Sequence, residues 1–218
     1  AVTGPNLIEP SGVFAASLGL PKLVGPYFIA ALTLFLSVVV IQLFLKPDPY
    51  LTANKAIEGG STKKRETTRS ALAHIREYPL ALFAIASVAI GHLAMVSIMV
   101  MTPVHMAHSD ATLRIIGLVI SVHVLGMYAF SPLVGAISDK IGRIKTIQIG
   151  ILILIASALI SGLAPHHDSF TLGIGLFLLG LGWSFTLIAG STLLSETVSF
   201  EMRPSTQGAS DLVMNLMG

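Results

Sequence analysis

Four ionisable side chains lie inside long apolar runs of this sequence: Glu9, His92, His123 and Asp211. An ionisable group inside a bilayer is costly, so such residues usually mark a solute pathway or a proton site. Glu9 precedes Pro10 in an interrupted run, and interrupted helices often line cavities in membrane proteins. Burial would favour the protonated form of either carboxyl group, which suits a proton carrier. The alternative for each residue is an ordinary structural hydrogen bond or a position nearer to water.

Several polar or aromatic side chains in the same runs could hold a solute in a membrane cavity. They are Asn6, Tyr128, Trp183 and Gln207. The alternative for Trp183 is an aromatic side chain that only fills space in a packed core. Four glycines in the same run predict close contact with neighbouring helices. These are Gly173, Gly175, Gly180 and Gly182.

Two histidine-containing segments have spacings that invite a metal-site interpretation. His105 and His108 are three residues apart, so they would share one face of a helix and could both bind a metal. Pro103 and Asp110 favour an extracellular turn instead, and no third ligand is fixed nearby in the sequence. The His-His-Asp segment at 166–168 has the same weakness. We therefore expect no metal site, and the lack of cysteine excludes thiolate ligands.

The composition is typical of a polytopic membrane protein. Of the 218 residues, 53% are apolar and 11% are charged, whereas a soluble domain carries about 25% charged residues. The basic residues lie between apolar runs, which favours membrane topology over a nucleic-acid-binding face. The sequence has no nucleotide-binding glycine loop, zinc-protease motif or nucleophile elbow. We expect no cofactor, no nucleic-acid partner and no enzymatic activity.

Seven apolar runs are predicted to cross a bilayer as helices, which takes about 20 residues each. They cover about 1–18, 26–45, 79–102, 113–133, 146–163, 170–194 and 204–218. The chain begins within the first run and stops within the last, so we expect it to be a piece of a longer protein. Prolines should close the second and third runs, at Pro47 and Pro103.

The basic residues are distributed unevenly over the two sets of loops. Of the 13 Lys and Arg, only Lys22 and Arg114 lie in one set. The others lie in 46–76, in 140–145 and at Arg203, and the positive-inside rule places these segments in the cytoplasm. We expect a multi-pass protein of the inner or plasma membrane, in contact with lipid, whose polar linker at 47–78 is cytoplasmic.

One short charged segment, residues 135–145, separates two of the apolar runs. Its sequence is Gly-Ala-Ile-Ser-Asp-Lys-Ile-Gly-Arg-Ile-Lys. We predict a tight loop from about Val134 to Thr146, because so short a segment leaves little room for a soluble domain. Its pattern, G-x-[LI]-x-D-[RK]-x-G-R-x-[RK], resembles the loop signature of the major facilitator superfamily of secondary transporters. The match consists of Gly135, Ile137, Asp139, Lys140, Gly142 and Arg143, with the last basic residue at Lys145.

The resemblance implies an all-α, polytopic transmembrane helical bundle made of two six-helix halves joined by a long cytoplasmic linker. In that family the signature joins the second and third helices of a half. Its position here implies the fifth to eleventh of twelve helices. Residues 1–46 would then be the last two helices of the N-terminal half, 47–78 the linker, and 79–218 the seventh helix to the start of the eleventh. The remaining helices of the longer chain would be partners of this segment.

The resemblance also implies that Asp139, with Arg143, forms a latch at the cytoplasmic side. A carboxylate near a helix N-terminus of the other half is stabilised by about 0.3–1 kcal/mol, which would favour the outward-open state. The latch motif comprises Gly135, Asp139, Lys140, Gly142, Arg143 and Lys145. The alternative is a solvated hairpin whose charges only set the topology, with Gly135 and Gly142 allowing close packing.

From the resemblance we expect a secondary transporter of small molecules that works by alternating access, driven by protons or by the gradient of the substrate. Gly4-Pro5 resembles the start of the fifth-helix G-P-x-x-G-G pattern of proton-coupled drug antiporters, without its paired glycines. This indicates proton-coupled efflux of hydrophobic compounds. The entry to the last run, Arg203 to Gly208, resembles an R-x-x-x-x-G helix start of the family. The alternatives are metabolite uptake, or a polytopic membrane enzyme or sensor that does not transport.

Overall fold

The computed structural model describes residues 4–47, 77–108, 112–165 and 168–218, with positions 49, 52 and 75, and all regular structure in these residues is helical. The helices are α1 (Ile8–Ser17), α2 (Val24–Phe44), α3 (Pro79–His108), α4 (Leu113–Tyr128), α5 (Ser131–Ile141), α6 (Arg143–Leu163), α7 (Ser169–Thr197) and α8 (Arg203–Met217), with short 3-10 helices at Pro5–Leu7 and Phe200–Met202. The predicted all-α class is confirmed. Most of the predicted linker, 47–78, lies outside the described residues.

Five segments of the described chain are long and apolar enough to cross a membrane. They are α2, α3 as far as Met106, the pair α4 and α5 (Arg114–Ile141), α6 and α7. The helices at the two ends of the chain, α1 with 10 residues and α8 with 15, are shorter. Pro204 lies in the first turn of α8, as the sequence predicts, because the ring fixes φ and the missing N–H has no intrahelical partner there.

The chain divides into two compact units, one of residues 7–65 and one of residues 1–6 and 66–218. In the smaller unit α1 packs on α2 at two glycines. A Cβ on Gly25 would overlap the carbonyl of Ser11, and one on Gly12 would lie 3.1 Å from the carbonyl oxygen of Lys22. The 18-residue apolar stretch of α2 is 0% buried by the described residues.

In the larger unit α7 is the central helix and packs against α3, α4 and α6. Glycines let the backbones approach closely on each side. A Cβ on Gly180 would overlap the carbonyl of His123 in α4, one on Gly175 would overlap the hydroxyl of Ser161 in α6, and one on Gly190 would lie 2.5 Å from Val88 in α3. The predicted close contact is therefore confirmed at Gly175 and Gly180.

The other two glycines predicted to contact neighbouring helices, Gly182 and Gly173, differ in their surroundings. A Cβ on Gly182 would lie 3.0 Å from the carbonyl oxygen of Gly150 in α6, so this position also needs glycine. At Gly173 no described atom lies within 4 Å of such a Cβ, and the prediction of close contact is wrong there. Sequence spacing places Gly173 on the same helix but cannot tell which of its faces has a neighbour.

The sequence predicted that Pro103 ends the third run. This prediction is wrong, because α3 continues to His108. Residues 104–108, predicted as loop, are therefore helical. Proline removes one backbone hydrogen bond, and membrane helices tolerate this where other groups satisfy the freed carbonyls.

The predicted fourth run is divided into two helices. α4 ends at Tyr128 and α5 begins at Ser131, with Pro132 in its first turn. Proline has no N–H to continue α4 but suits the start of a new helix. The connection between the fourth and fifth runs is tight, as predicted, but the predicted bounds, from Val134 to Thr146, are too wide: α5 runs to Ile141 and α6 starts at Arg143.

Gly142 alone separates α5 from α6, and its φ of 92° lies in the region that glycine adopts without strain. The change from apolar to charged residues at Val134 marks the emergence of the helix from its apolar surroundings, not its end. Close packing at Gly135 and Gly142 is not observed, since no described atom lies within 4 Å of a Cβ at either position.

Candidate functional site

Arg143 is the first residue of α6, and Gly142 turns the chain so that its side chain reaches two other helices. On α5, Nη1 donates to Asp139 Oδ1 at 2.5 Å and to Ser138 Oγ at 3.1 Å. On α7, Nη2 donates to Glu196 Oε1 at 2.8 Å, and Nε lies 3.3 Å from both carboxylate oxygens. We call Arg143, Asp139, Ser138 and Glu196 the arginine cluster.

The arginine cluster shields the guanidinium more than the carboxylates. The Arg143 side chain is 19% exposed, against 72% for Asp139 and 52% for Glu196. A planar guanidinium offers several N–H groups and can serve two carboxylates at once. Exposed ion pairs contribute only about 0–1 kcal/mol, so the cluster can open at low cost.

All three charges lie at helix ends where the macrodipole disfavours them. Arg143 is a cation at the N-terminus of α6, while Asp139 and Glu196 are anions in the last turns of α5 and α7. Each placement costs about 0.3–1 kcal/mol when uncompensated. Mutual pairing offsets this cost, so the three groups depend on each other rather than on their own helices.

Glu196 was not among the residues singled out from the sequence. A signal was present: it is an acidic residue at the end of a membrane run that the positive-inside rule places on the same side as the latch motif. An anion at a helix C-terminus calls for a cationic partner. The sequence does not say which of several basic residues provides it, and only packing of α6 against α7 selects Arg143.

The two lysines of the latch motif do not join the arginine cluster. Lys140 and Lys145 are exposed, and neither forms an ion pair with a described residue. Of the latch motif, the structure therefore brings together Asp139 and Arg143, with Gly142 as the turn between their helices.

A second group of predicted residues meets near the middle of the larger unit. Trp183 on α7 donates its Nε1–H to Nδ1 of His92 on α3 at 3.3 Å. The ring of Tyr128, at the end of α4, contacts Trp183 edge to face, with ring centroids 6.1 Å apart and an interplanar angle of 75°. We call these three residues the aromatic cluster.

The aromatic cluster lies near the midpoints of the helices that supply it. Trp183 is central in the 29-residue α7 and His92 in the 30-residue α3. Tyr128 is central in the 28-residue segment formed by α4 and α5. Trp183 is only 7% exposed, His92 is half-buried, and Tyr128 is 52% exposed. In the aromatic cluster, Trp183 is therefore buried and the side chain of Tyr128 is exposed.

His123 has the geometry of a structural residue. Its side chain is 2% exposed, and Nδ1 lies 2.9 Å from the carbonyl oxygen of Leu176, to which a neutral imidazole donates. This bond ties α4 to α7 where Gly180 brings their backbones together. A role for His123 in a transport pathway stays a prediction.

The remaining pathway candidates are dispersed. Asp211 is exposed on α8 and accepts a hydrogen bond from Gln207 Nε2 at 3.0 Å, one turn earlier. Glu9 is exposed in the first turn of α1. Asn6 Nδ2 donates to Ser121 Oγ at 2.7 Å. The structure thus joins Gln207 with Asp211, and the pathway roles of all four candidates stay predictions.

The histidine segments show no metal centre in the described part of the chain, where no group of three or more His, Asp or Glu side chains could hold an ion. His105 and His108 lie one turn apart on α3, and His108 Nδ1 is 2.7 Å from the carbonyl oxygen of Val104. His166 and His167 lie outside the described residues.

Asp168 is the N-cap of α7, a role that its place in a predicted loop did not reveal. It accepts hydrogen bonds from the N–H groups of Phe170 and Thr171 at 3.1 and 3.0 Å, and from the Thr171 hydroxyl at 2.6 Å. The bond from the Thr171 hydroxyl, followed by the backbone bonds, lowers the pKa of this carboxyl below its ordinary value.

Comparison with known proteins identifies the family. Residues 11–218 match the Major Facilitator Superfamily model. The chain is 37% identical over 220 residues to the uncharacterized MFS-type transporter YdeG of Bacillus subtilis (strain 168), covering 100% of this chain and 51% of that protein. It is 33% identical over 228 residues to the uncharacterized MFS-type transporter YddS of the same organism, covering 100% of this chain and 50% of the relative.

A third relative is the riboflavin transporter RfnT of Brucella anthropi, 26% identical over 220 residues, which cover 98% of this chain and 50% of that protein. No solved structure matches the chain significantly. The chain spans about half the length of these curated relatives. With its apolar helices and its family match, this is a multi-pass membrane chain that belongs to the Major Facilitator Superfamily.

Proposed function

We propose that the protein containing this chain is a secondary transporter of small molecules that works by alternating access. The observation that carries the proposal is the arginine cluster, in which one guanidinium ties the ends of α5, α6 and α7 together. Its charges are kept at helix ends that disfavour them, which a purely structural hairpin would not require. Residues that break a local rule in this way are expected at functional sites.

The cluster can act as a latch because its two carboxylates are not equivalent. Glu196 contacts Arg143 through two nitrogens, whereas the more exposed Asp139 contacts one. Asp139 can therefore exchange Arg143 for the N-terminus of a helix in the other half, while Arg143 stays paired with Glu196. Such an exchange suits a contact that forms in one state of the transporter and breaks in the next.

The driving force in this proposal is an ion or substrate gradient, because the sequence contains no nucleotide-binding loop. Proton-coupled efflux of hydrophobic compounds is the first candidate, with Glu9 and Asp211 as proton carriers. The asymmetric distribution of Lys and Arg supports placing the arginine cluster and the linker at 47–78 on the cytoplasmic side of the inner or plasma membrane. Lipid and the remaining helices of the longer chain would be its partners.

Metabolite uptake is the second candidate. The relative RfnT is named as a riboflavin transporter, and riboflavin is a metabolite rather than a hydrophobic drug. Its 26% identity leaves the substrate of this chain to be decided by experiment.

The experiment is flux in proteoliposomes that contain the complete parent protein, with a pH gradient and a lipophilic dye. Glu9→Gln and Asp211→Asn are compared with the unaltered protein, and Glu201→Gln, an exposed carboxylate in the 3-10 helix before α8, is the matched control. Gradient-driven dye movement that one substitution abolishes, and the control does not, supports proton-coupled efflux. Flux that ignores both the gradient and the substitutions excludes proton coupling through these residues and moves the test to metabolite uptake. A protein that moves no solute, yet still binds ligands, would refute transport.

A further inference from the structure

We propose that the aromatic cluster recognises an uncharged, planar heteroaromatic solute that carries a hydrogen-bond acceptor. The inference rests on the proposed transport function, because it names the class of solute that the transporter would move. Its location fits that role, since substrate sites of secondary transporters lie near the membrane midplane, and the three residues lie near the midpoints of their helices.

The hydrogen-bond donor of the site is Nε2 of His92. An indole N–H can only donate, so the bond from Trp183 makes Nδ1 of His92 the acceptor. A neutral imidazole with an accepting Nδ1 carries its hydrogen on Nε2, which points away from Trp183. Gly218 borders this edge, where an added Cβ would lie 3.0 Å from Nε2, so a larger side chain at that position would crowd the donor. The orientation set by Trp183 thus offers one N–H to an acceptor atom of the solute.

The stacking surface of the site is the ring of Tyr128. Its edge-to-face contact with the buried Trp183 fixes the plane of the ring at 75° to the indole, while 52% of the residue stays exposed. A planar aromatic solute gains most from an offset-stacked or edge-to-face contact with such a ring. A ring already held in place also loses little conformational freedom when a solute binds.

The described residues that form the cluster carry no fixed charge, which favours an uncharged solute. α3 contains no Asp, Glu, Lys or Arg. The charged residues of α4 and α7 are Arg114, near the start of α4, and Glu196, in the last turn of α7. On α8 the carboxylate of Asp211 accepts a bond from Gln207. A charged group buried at this depth without a partner is costly, so a charged solute would be disfavoured.

The test uses the complete parent protein in lipid nanodiscs and two fluorescent three-ring probes of the same shape. Acridone is uncharged and planar and has a carbonyl acceptor, whereas anthracene has the rings without the acceptor. Saturable binding of each probe is followed by its own fluorescence polarisation, so that it does not depend on Trp183.

Three substitutions separate the donor from the ring. His92→Phe keeps an aromatic ring but removes the N–H, and it should weaken acridone binding about fivefold to tenfold while anthracene binding changes less than about twofold. His92→Gln restores a donor and should recover part of the acridone affinity. Tyr128→Leu should weaken both probes by a similar factor of about threefold to tenfold. The matched control is Tyr27→Leu, an exposed tyrosine of α2, which should leave both affinities unchanged.

The inference is overturned if His92→Phe weakens the two probes equally, if it weakens neither, or if the control matches Tyr128→Leu. Thermal unfolding of each variant shows whether the fold is retained, and the Gln variant keeps the test decisive if the Phe variant unfolds. The outcome is separate from that of the proposed function. Selective loss of acridone binding with no flux would refute transport and keep the site, whereas flux without such selectivity would refute the site and keep transport.

Discussion

The arginine cluster and the aromatic cluster lie in the same unit but are built in opposite ways. The first joins three charged groups, two of them more than half exposed, at an end of the bundle. The second has no charged group, and its Trp183 packs among Met95, Leu154 and Leu179. Exposed charges exchange partners at small cost, whereas a packed aromatic group is fixed by close contacts. If both proposals hold, switching depends on exposed charges and solute recognition on packed aromatic groups.

The largest expected effect concerns the close packing that positions the aromatic cluster. Gly180→Ala places a methyl group onto the carbonyl of His123, so α4 and α7 must separate, at a cost of about 1–3 kcal/mol in the free energy of unfolding. Thermal unfolding of the purified parent protein measures it. Gly173→Ala, on the same helix with no described atom within 4 Å, should be neutral or stabilising by up to about 1 kcal/mol. Equal effects of the two substitutions would contradict the packing scheme.

A smaller effect is expected when the guanidinium of the arginine cluster is removed. Arg143→Gln leaves the carboxylates of Asp139 and Glu196 without their cation, and we expect flux to fall about tenfold, equivalent to about 1.4 kcal/mol. Arg143→Lys keeps the charge without the planar fork and should lose less. Lys145→Gln, an exposed lysine without an ion pair to a described residue, should stay within about twofold. Equal losses in the Gln variants of Arg143 and Lys145 would show that only total charge matters.

Salt concentration should change the stability contributed by the arginine cluster but not that contributed by the aromatic cluster. Between about 0.01 and 1 M salt the Debye length falls from about 30 to 3 Å. The destabilisation caused by Glu196→Gln, about 0.2–1 kcal/mol for an exposed pair, should therefore shrink at high salt. The effect of His92→Phe on stability should not change, because no charge is involved. Thermal unfolding at both salt concentrations decides this, and a salt-dependent His92 variant would break the distinction.

The smallest effect is expected at Asp168, the cap of α7. Because its pKa is lowered in the folded state, its contribution to stability is present above the unfolded value of about 3.9 and is lost as pH falls through the folded pKa. Asp168→Asn keeps a capping oxygen but removes the titration, so its unfolding temperature should depend less on pH below about pH 4. Asp168→Ala should lower the unfolding temperature at neutral pH as well. Parallel pH profiles for the Asp168→Asn variant and the unaltered protein would rule out this role.

The helical class and the membrane segments could be predicted because they depend on local composition. Runs of about 20 apolar residues span a bilayer whatever their neighbours are, and α2, α6 and α7 follow the predicted runs within a few residues. The boundaries at Pro103 and Val134 were predicted wrongly. At Pro103 the proline, and after Val134 the charged residues, suggested the end of a helix, but the helical backbone continues past both positions.

The candidate sites were predictable only in part. Asp139 and Arg143 could be predicted as a pair because they lie only four residues apart, on either side of Gly142. Glu196 is 53 residues from Arg143, and no local pattern connects them. Each member of the aromatic cluster was a candidate from its type and depth, but nothing in the sequence groups these three.

The all-α class, the approximate membrane segments, the charged motif and the resemblance to the family follow from the amino-acid sequence alone, because each depends on residues close together along the chain. Helix packing decides which glycines face a neighbour, which carboxylates share Arg143, and that His92, Tyr128 and Trp183 meet. These outcomes depend on how α3, α4 and α6 rotate and pack around α7. Hydrophobicity constrains that rotation weakly in a helix that is apolar on all sides.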